Sequence, residues 1–428
     1  MKSFRDPVHN LIAFDESDLL IVDLINTKEV QRLRRIRQLG MSNIAYPGAE
    51  HSRFLHSLGV AHLMRRFLDL TALQRGPLES ELYEFRHLAI AAALLHDLGH
   101  GPFSHALESV TGERHEKWTT AIIRSPETEV HQVLETYLHG FSDQVASVIE
   151  QNFSPSRAIV KLLSSQLDMD RTDYLLRDSL FTGAGYGTFD VEWLLHVMRI
   201  GEVNGEVEVG LDLKKGQSIA EDYIMSRYYM YLHVYFHRTT RAAEVMMEKM
   251  LKRAQDIHAT IPGLDGLNQL LGRQLQSHLP GAVSAYLELD DAILWAAMHL
   301  WTHDSDEILR DLSSRLLDRK LFRGIDVRSA EEGKTVYEAI SKKVTQRGLS
   351  PEYYLVLDEV DSHTYQDNYV AQSDGKGTEA QLSSKEIYLF DEAGRAVALS
   401  QTSFLVEAVR QHDVSVQRVF TPGDRDEQ

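Results

Sequence analysis

The chain begins with a short extended stretch and then runs almost wholly in helix-period apolar patterns. Residues 1–14 read as extended, with Asp6-Pro7 as a turn signal. Thr27 suits the N-cap of a helix that carries Val30, Leu33, Ile36 and Leu39 at three-residue spacing and stops at Gly40. After Pro47-Gly48, helical spacing returns from Arg53 to about Leu73, and a further helix is expected from about Glu79 to His96. Its last part, Leu88 to Leu95, is entirely apolar, and Gly99 and Gly101-Pro102 stop it. Short helices should fill 103–112, 115–125, 128–139, 142–152 and 156–166, with another starting at Asp168.

The second half keeps the helical texture until near its end. Gly183 to Gly187 is glycine-rich but lacks the spacing and the trailing Lys-Ser/Thr of a phosphate-cradling loop, so it reads as a connection. Asn204-Gly205 followed by alternation over 206–213 predicts a β-hairpin. A single long helix is expected over 217–255, with Tyr223, Tyr228, Tyr229, Tyr231, Tyr235 and Phe236 as a stripe that reads as core or subunit interface. Helices at 282–301, 305–318 and 330–346 follow. Strands are expected at 353–357 and 387–390, separated by the polar stretch Asp367 to Ser384, then a helix at 402–411 and a strand at about 414–420. The expected fold class is mainly α, divided into a helical core over 1–255, a helical extension over 256–348 and a small α/β unit over 349–428.

Composition narrows the options. The 428 residues are too many for one average domain, and 43% hydrophobic with 25% charged residues is ordinary for a globular protein. The absence of cysteine removes disulfides, thiolate metal sites and thiol nucleophiles, and fits a reducing cytoplasm. No apolar stretch approaches the ~20 residues that span a bilayer, so a cytoplasmic protein without membrane contact is expected. A net charge of −18 argues against a broad nucleic-acid surface. A small anionic ligand is still compatible, because cations cluster locally: five lie between Lys28 and Arg37. Histidine is uneven too, with 11 of the 20 in the first 140 residues.

His56, the pair His96-Asp97 and Asp170 supply two imidazoles and two carboxylates, a donor set for a divalent ion of intermediate hardness. An Asp and a His at the end of an apolar helix are costly to bury unless something pairs with them. Read alone, the four residues fit a metal site or a set of hydrogen-bonded core groups equally well.

The segments Arg53 to Val60, His96-Asp97-Leu98-Gly99-His100-Gly101-Pro102-Phe103-Ser104-His105 and Asp168 to Tyr174 resemble the HD-domain phosphohydrolases. The likeness is closest to the deoxynucleoside triphosphate triphosphohydrolase branch, which holds the mammalian SAM-and-HD-domain enzyme and bacterial dGTPases, here expected without the SAM domain. It runs from about Asp6 to about Glu244. The resemblance implies an HD-domain helical core and one divalent metal ion per subunit, held by His56, His96, Asp97 and Asp170. Manganese, magnesium, iron, cobalt, nickel and zinc all suit such ligands. It places His105, supported by Glu108, and His115 beside the scissile phosphate, with His100 touching it. Arg53 and Arg171 match phosphate-binding positions, Tyr174 and Asp178 those that cover the deoxyribose and bind its 3′-hydroxyl, and Gln38-Leu39 the pair that excludes a 2′-hydroxyl.

The implied reaction is hydrolysis of a dNTP to deoxynucleoside and inorganic triphosphate, by a homodimer or homotetramer. In the mammalian relative an activator site uses an acidic residue shortly before Gln-Arg-Leu-Arg; this chain has Gln31-Arg32-Leu33-Arg34 but Asn26 at the acidic position, so strict guanine reading is in doubt. Tyr235-Phe236-His237-Arg238 resembles a regulatory phosphate contact, which leaves room for a nucleotide activator of unspecified base. Two other readings stay open: an HD phosphohydrolase for another nucleotide phosphate ester, and a nucleotide-sensing or nucleic-acid-binding HD protein with little turnover.

Overall fold

The computed structural model describes residues 2–71, 77–362, 386–411 and 414–423. The expected polar stretch Asp367–Ser384 lies outside them. Helices dominate, and the few strands form three small sheets. The extended stretch at the N-terminus is a hairpin, in which strands β1 (Lys2–Asp6) and β2 (Asn10–Phe14) pair on either side of the expected turn. Its turn is wound around Asp6, whose carboxylate accepts the N–H groups of Val8 and His9 at 2.9 and 2.8 Å.

The helix Arg53–Thr71 is central to the core, with Arg86–Leu95 and Met169–Thr182 both packed against it. Every residue from Leu88 to Leu95 is buried, which explains why that run carries no polar residue. Burying those side chains stabilises the fold by about 1.5–3 kcal/mol for each large aliphatic residue, before conformational entropy is subtracted. Asp168 starts the third helix as its N-cap, accepting from Arg171 N at 2.8 Å.

Several expected helices are shorter than their apolar periodicity suggested. The helix after Thr27 spans only Lys28–Arg32, followed by a 3-10 turn at Leu33–Arg35. Ile36 turns extended because its carbonyl accepts from Arg53 N at 2.9 Å, while Gln38 N donates to His51 O at 2.9 Å. Backbone pairing across this loop outweighs local helical preference. The helix expected to reach His96 is broken at Phe85 into Pro77–Glu84 and Arg86–Leu95. The segment 282–301 is likewise two helices, Ala282–Leu287 and Asp291–Trp301, with Asp290 capping the second.

The long helix expected over 217–255 is interrupted. Gln217–Met230 passes into a π-turn at Tyr231–Tyr235, and a new helix, Arg238–Asp256, starts at the N-cap His237. Such wide turns re-aim side chains, often at functional sites. Here Tyr231, Tyr235 and Phe236 line a cleft.

Strands β3 (Met198–Val203) and β4 (Glu206–Asp212) form the expected hairpin, with both Asn204 and Gly205 at positive φ. The C-terminal strands join earlier parts of the chain. β7 (Tyr388–Phe390) runs parallel to β4 and pairs with β8 (Ala396–Ala398) on its other side. β9 (Val414–Thr421) lies between β5 (Arg323–Val327) and β6 (Val356–Ser362). Tyr353 and Tyr354, expected in a strand, instead close the short helix Pro351–Tyr354. Their hydroxyls donate to Asp256 and Asp311, both at 2.8 Å, an anchoring that an alternating strand could not give. The expected helix at 402–411 is divided by Ser403, which caps Phe404–Arg410. Among the described residues, no helix is long and apolar enough to cross a membrane.

Candidate active site

A cleft of about 780 Å³ opens where the core helices meet the π-turn. At its floor the structure brings together His56, His96, Asp97 and Asp170 from three separate helices or helix ends. His56 Nε2 lies 3.0 Å from Asp170 Oδ1 and 3.8 Å from Asp97 Oδ2. His96 Nε2 lies 3.3 Å from Asp97 Oδ1 and 3.5 Å from Asp170 Oδ1. The two imidazole rings stand nearly perpendicular, 5.3 Å apart.

Each ring is held by its other nitrogen. His96 Nδ1 donates to the Ala93 carbonyl and His56 Nδ1 to Asp173 Oδ2, both at 2.8 Å. In the neutral rings this leaves the Nε2 lone pairs facing the carboxylates. His96 Nε2 is buried without a hydrogen-bond partner among the described residues. An orphaned nitrogen beside two carboxylates is what a divalent ion would satisfy, and the donor set fits one.

Electrostatics agree. Burial pushes the His56 imidazole down, but hydrogen bonds to Asp170 and Asp173 outweigh it and raise it to about 10. His96 also moves up: burial opposes, and Asp97 and Asp170 prevail. Asp97 lies well below the usual carboxylate range despite its burial, because His100, His96 and Arg53 surround it. The site's negative field thus attracts a cation, proton or metal.

Around this floor lie the other expected residues. Arg53 is buried and donates to Asp97 Oδ2, and its Nη2 reaches the Gln38 carbonyl at 3.4 Å. His100 Nε2 is 3.2 Å from Asp97 Oδ1, and its ring stacks on His115 at 3.6 Å. Burial and the nearby Arg53 and His115 lower His100 well below the usual imidazole value, so its ring is neutral. Gln38, Leu39, Arg171, Tyr174 and Asp178 all line the cleft. Asp178 is fixed at both oxygens, by His51 Nε2 at 2.7 Å and by the Tyr235 hydroxyl at 2.9 Å. Glu108 Oε1 accepts from His115 Nδ1 at 2.6 Å, and the expected support of His105 by Glu108 falls on a side chain outside the described residues. His105 falls in the helix Ser104–Thr111, and its side chain lies outside the described residues.

Of the residues thought relevant to activation, Arg32 is buried and donates to the carbonyls of Leu289 and His100 at 2.9 and 3.0 Å. It braces the loop after His96 from behind. Asn26 accepts from Lys2, and Arg238 pairs with Asp326 on an exposed face.

Comparison with known proteins accounts for this geometry. Residues 53–178 match the HD domain, and residues 189–264 match the HD associated region. The uncharacterized protein YwfO of Bacillus subtilis is 40% identical over 99% of this chain and 92% of its own length. The chain belongs to the HD-domain phosphohydrolase family. The human deoxynucleoside triphosphate triphosphohydrolase SAMHD1 is 27% identical over 80% of the chain, which spans 58% of that enzyme. A crystal structure of a phosphohydrolase from Bacteroides thetaiotaomicron superposes with a TM-score of 0.78 at 25% identity, covering 99% of this chain and all of that one. A hypothetical protein from Aquifex aeolicus gives a TM-score of 0.74 at 25% identity, over 98% of this chain and 96% of that one.

Sequence reasoning missed the residues behind the floor: Asp6, His9, His51, Asp173 and Arg177. A signal was present in the spacing of Asp170, Asp173 and Arg177, three and four residues apart on one helix and hence on one face.

Proposed function

We propose that this HD-domain protein is a metal-dependent dNTP triphosphohydrolase. The observation that carries the reading is the placement of Arg53, Arg171, Tyr174, Asp178, Gln38 and Leu39 around one cleft whose floor is the His56–His96–Asp97–Asp170 cluster. The likeness to the SAMHD1 enzymes supports it.

His56, His96, Asp97 and Asp170 would hold one divalent ion, which would supply Lewis acidity at the α-phosphate and lower the pKa of the attacking water. Arg53 and Arg171 balance the triphosphate charge, and the guanidinium fork suits phosphate oxygens. Water adds its oxygen to the α-phosphorus, the bond from that phosphorus to O5′ breaks, and triphosphate and deoxynucleoside leave. The departing O5′ needs a proton. His115, oriented by Glu108, is placed to deliver it. His100 contacts the phosphate as a neutral donor, and His105 is kept as a second candidate acid. Asp178 binds the 3′-hydroxyl, with Tyr174 covering the sugar, and Gln38-Leu39 closes the space a 2′-hydroxyl would need. A nucleotide activator and a homodimer or homotetramer belong to the same reading.

Product analysis tests it. The four dNTPs and four NTPs, singly and mixed, are incubated with the protein and each of manganese, magnesium, iron(II) and cobalt. Deoxynucleoside plus inorganic triphosphate is the expected product, lost when His96 and Asp97 are both replaced by Ala. Turnover confined to mixtures identifies an activator, and light scattering reads the subunit number. Monophosphate or diphosphate products, or dNTP turnover that survives the double replacement, would overturn the proposal.

A further inference from the structure

Behind the metal-site floor lies a fully buried polar cluster that the proposed chemistry does not use. Asp173 is 0% exposed and accepts from three side chains. Its Oδ2 accepts from His56 Nδ1 and Arg177 Nε, both at 2.8 Å, and its Oδ1 from His9 Nε2 at 2.7 Å and Arg177 Nη2 at 2.9 Å. Arg177 in turn donates to Asp6 Oδ2 at 2.8 Å. Asp6 and His9 belong to the N-terminal hairpin, far outside residues 53–178 that match the HD domain.

We infer that Asp173, held by His9, Arg177 and Asp6, is a positioning residue that fixes the His56 ring for metal binding, so that the N-terminal hairpin is a working part of the metal site. The inference rests on the metal reading of that site.

Three observations support it. First, His56 Nδ1 meets a carboxylate, Asp173 Oδ2, at 2.8 Å and not a neutral acceptor. A carboxylate there makes Nε2 a better donor to a cation than a neutral acceptor would. Second, the two metal-site imidazoles differ. His96 Nδ1 rests on the neutral Ala93 carbonyl, so only His56 depends on a side chain. Third, space has been cleared for this contact. A Cβ at Gly59, one turn after His56, would lie 1.8 Å from Asp173 Oδ1. The hairpin then aims His9: Asp6 accepts the backbone N–H groups of Val8 and His9, which orients the turn from which His9 reaches Asp173.

Metal affinity without nucleotide tests the inference separately from the reaction. The full chain is stripped with a chelator and titrated with Mn²⁺, read by calorimetry and by electron paramagnetic resonance. Asp173→Asn keeps the shape and removes the charge; it is expected to weaken Mn²⁺ binding roughly 10- to 100-fold. His9→Gln and Asp6→Asn, which do not touch His56, should weaken it by smaller factors. Nitrogen-15 NMR should show the His56 ring losing its single tautomer in Asp173→Asn while His96 keeps its own. Unchanged Mn²⁺ affinity in folded Asp173→Asn overturns the inference. If that variant does not fold, unchanged affinity in folded His9→Gln overturns it instead. If none of the three folds, the cluster is a structural ion pair and the inference fails. A wild-type protein that binds no Mn²⁺ would defeat the metal reading itself.

Discussion

Glu108 Oε1 and His115 Nδ1 meet at 2.6 Å on the wall of the cleft, which ties the orientation of one imidazole to one carboxylate. The other nitrogen of His115 is thereby left for the cleft, on the side of Asp97 and His100. In the proposed reaction this pair would move a proton, the carboxylate fixing the tautomer and stabilising the charged ring.

Glu108→Gln should therefore lower kcat about 100-fold while leaving KM and bound metal close to wild type. Steady-state kinetics with metal analysis on the same sample checks this. A loss confined to KM would instead make Glu108 a binding residue.

Asp178 is held rigid by His51 and Tyr235, so a sugar hydroxyl would meet an already oriented acceptor. Wild type should discriminate against a 3′-deoxy substrate by about 10-fold or more in kcat/KM, the size of one hydrogen bond to a charged group. In Asp178→Asn that discrimination should shrink toward unity. Equal discrimination in both proteins would remove Asp178 from sugar recognition.

Gly59→Ala should destabilise the protein sharply. The added methyl would overlap Asp173 Oδ1, which cannot retreat without breaking its bonds to His9 and Arg177. Overpacking of this kind costs about 1–3 kcal/mol, and the loss of buried ionic hydrogen bonds adds to it. Thermal unfolding reads the effect; an unchanged Tm would show that the cluster is loosely held.

Asp291 ties the helix Asp291–Trp301 to the cleft wall. One of its oxygens accepts from Arg37 N at 3.0 Å, the other from Phe103 N at 3.4 Å. Burial raises its carboxyl from 3.8 to about 6, against the opposing backbone hydrogen bond from Arg37. The folded state then binds this proton more tightly than the unfolded chain. Stability falls as pH rises from about 4 to about 6, by ~3 kcal/mol at most, and the penalty is complete above that window. Urea unfolding at stepwise pH should show Asp291→Asn losing this downward slope. A slope that persists in the variant would assign it to other groups.

The four residues that meet at the cleft floor could be picked out beforehand because they sit in contiguous, distinctive strings with helix signals around them. Asp97 follows an apolar run ended by glycine, and Asp170 follows an N-cap at Asp168. The partners behind them were not legible, since Asp6, His9 and Arg177 look like ordinary turn and helix-surface residues until tertiary packing buries them together. Periodicity also overreached wherever a long-range contact competes with it. Ile36 leaves its helix to pair with Arg53, and the helix carrying Tyr231 widens to bring Tyr235 onto Asp178. Those events depend on residues far away in the chain, and a local pattern carries no record of them.

The parallel pairing of β7 with β4 sets an order of events during synthesis. Gly210 opposes Tyr388, so this edge of β4 gains its partner β7 only once the chain has been made as far as Phe390. The helical core that carries His56, His96 and Asp170 can form much earlier, while the hairpin of β3 and β4 waits with one open edge. An open edge on a nascent chain is a template for pairing with another copy. Truncation ahead of Tyr388 would therefore leave the site residues in place and still yield a protein prone to aggregate.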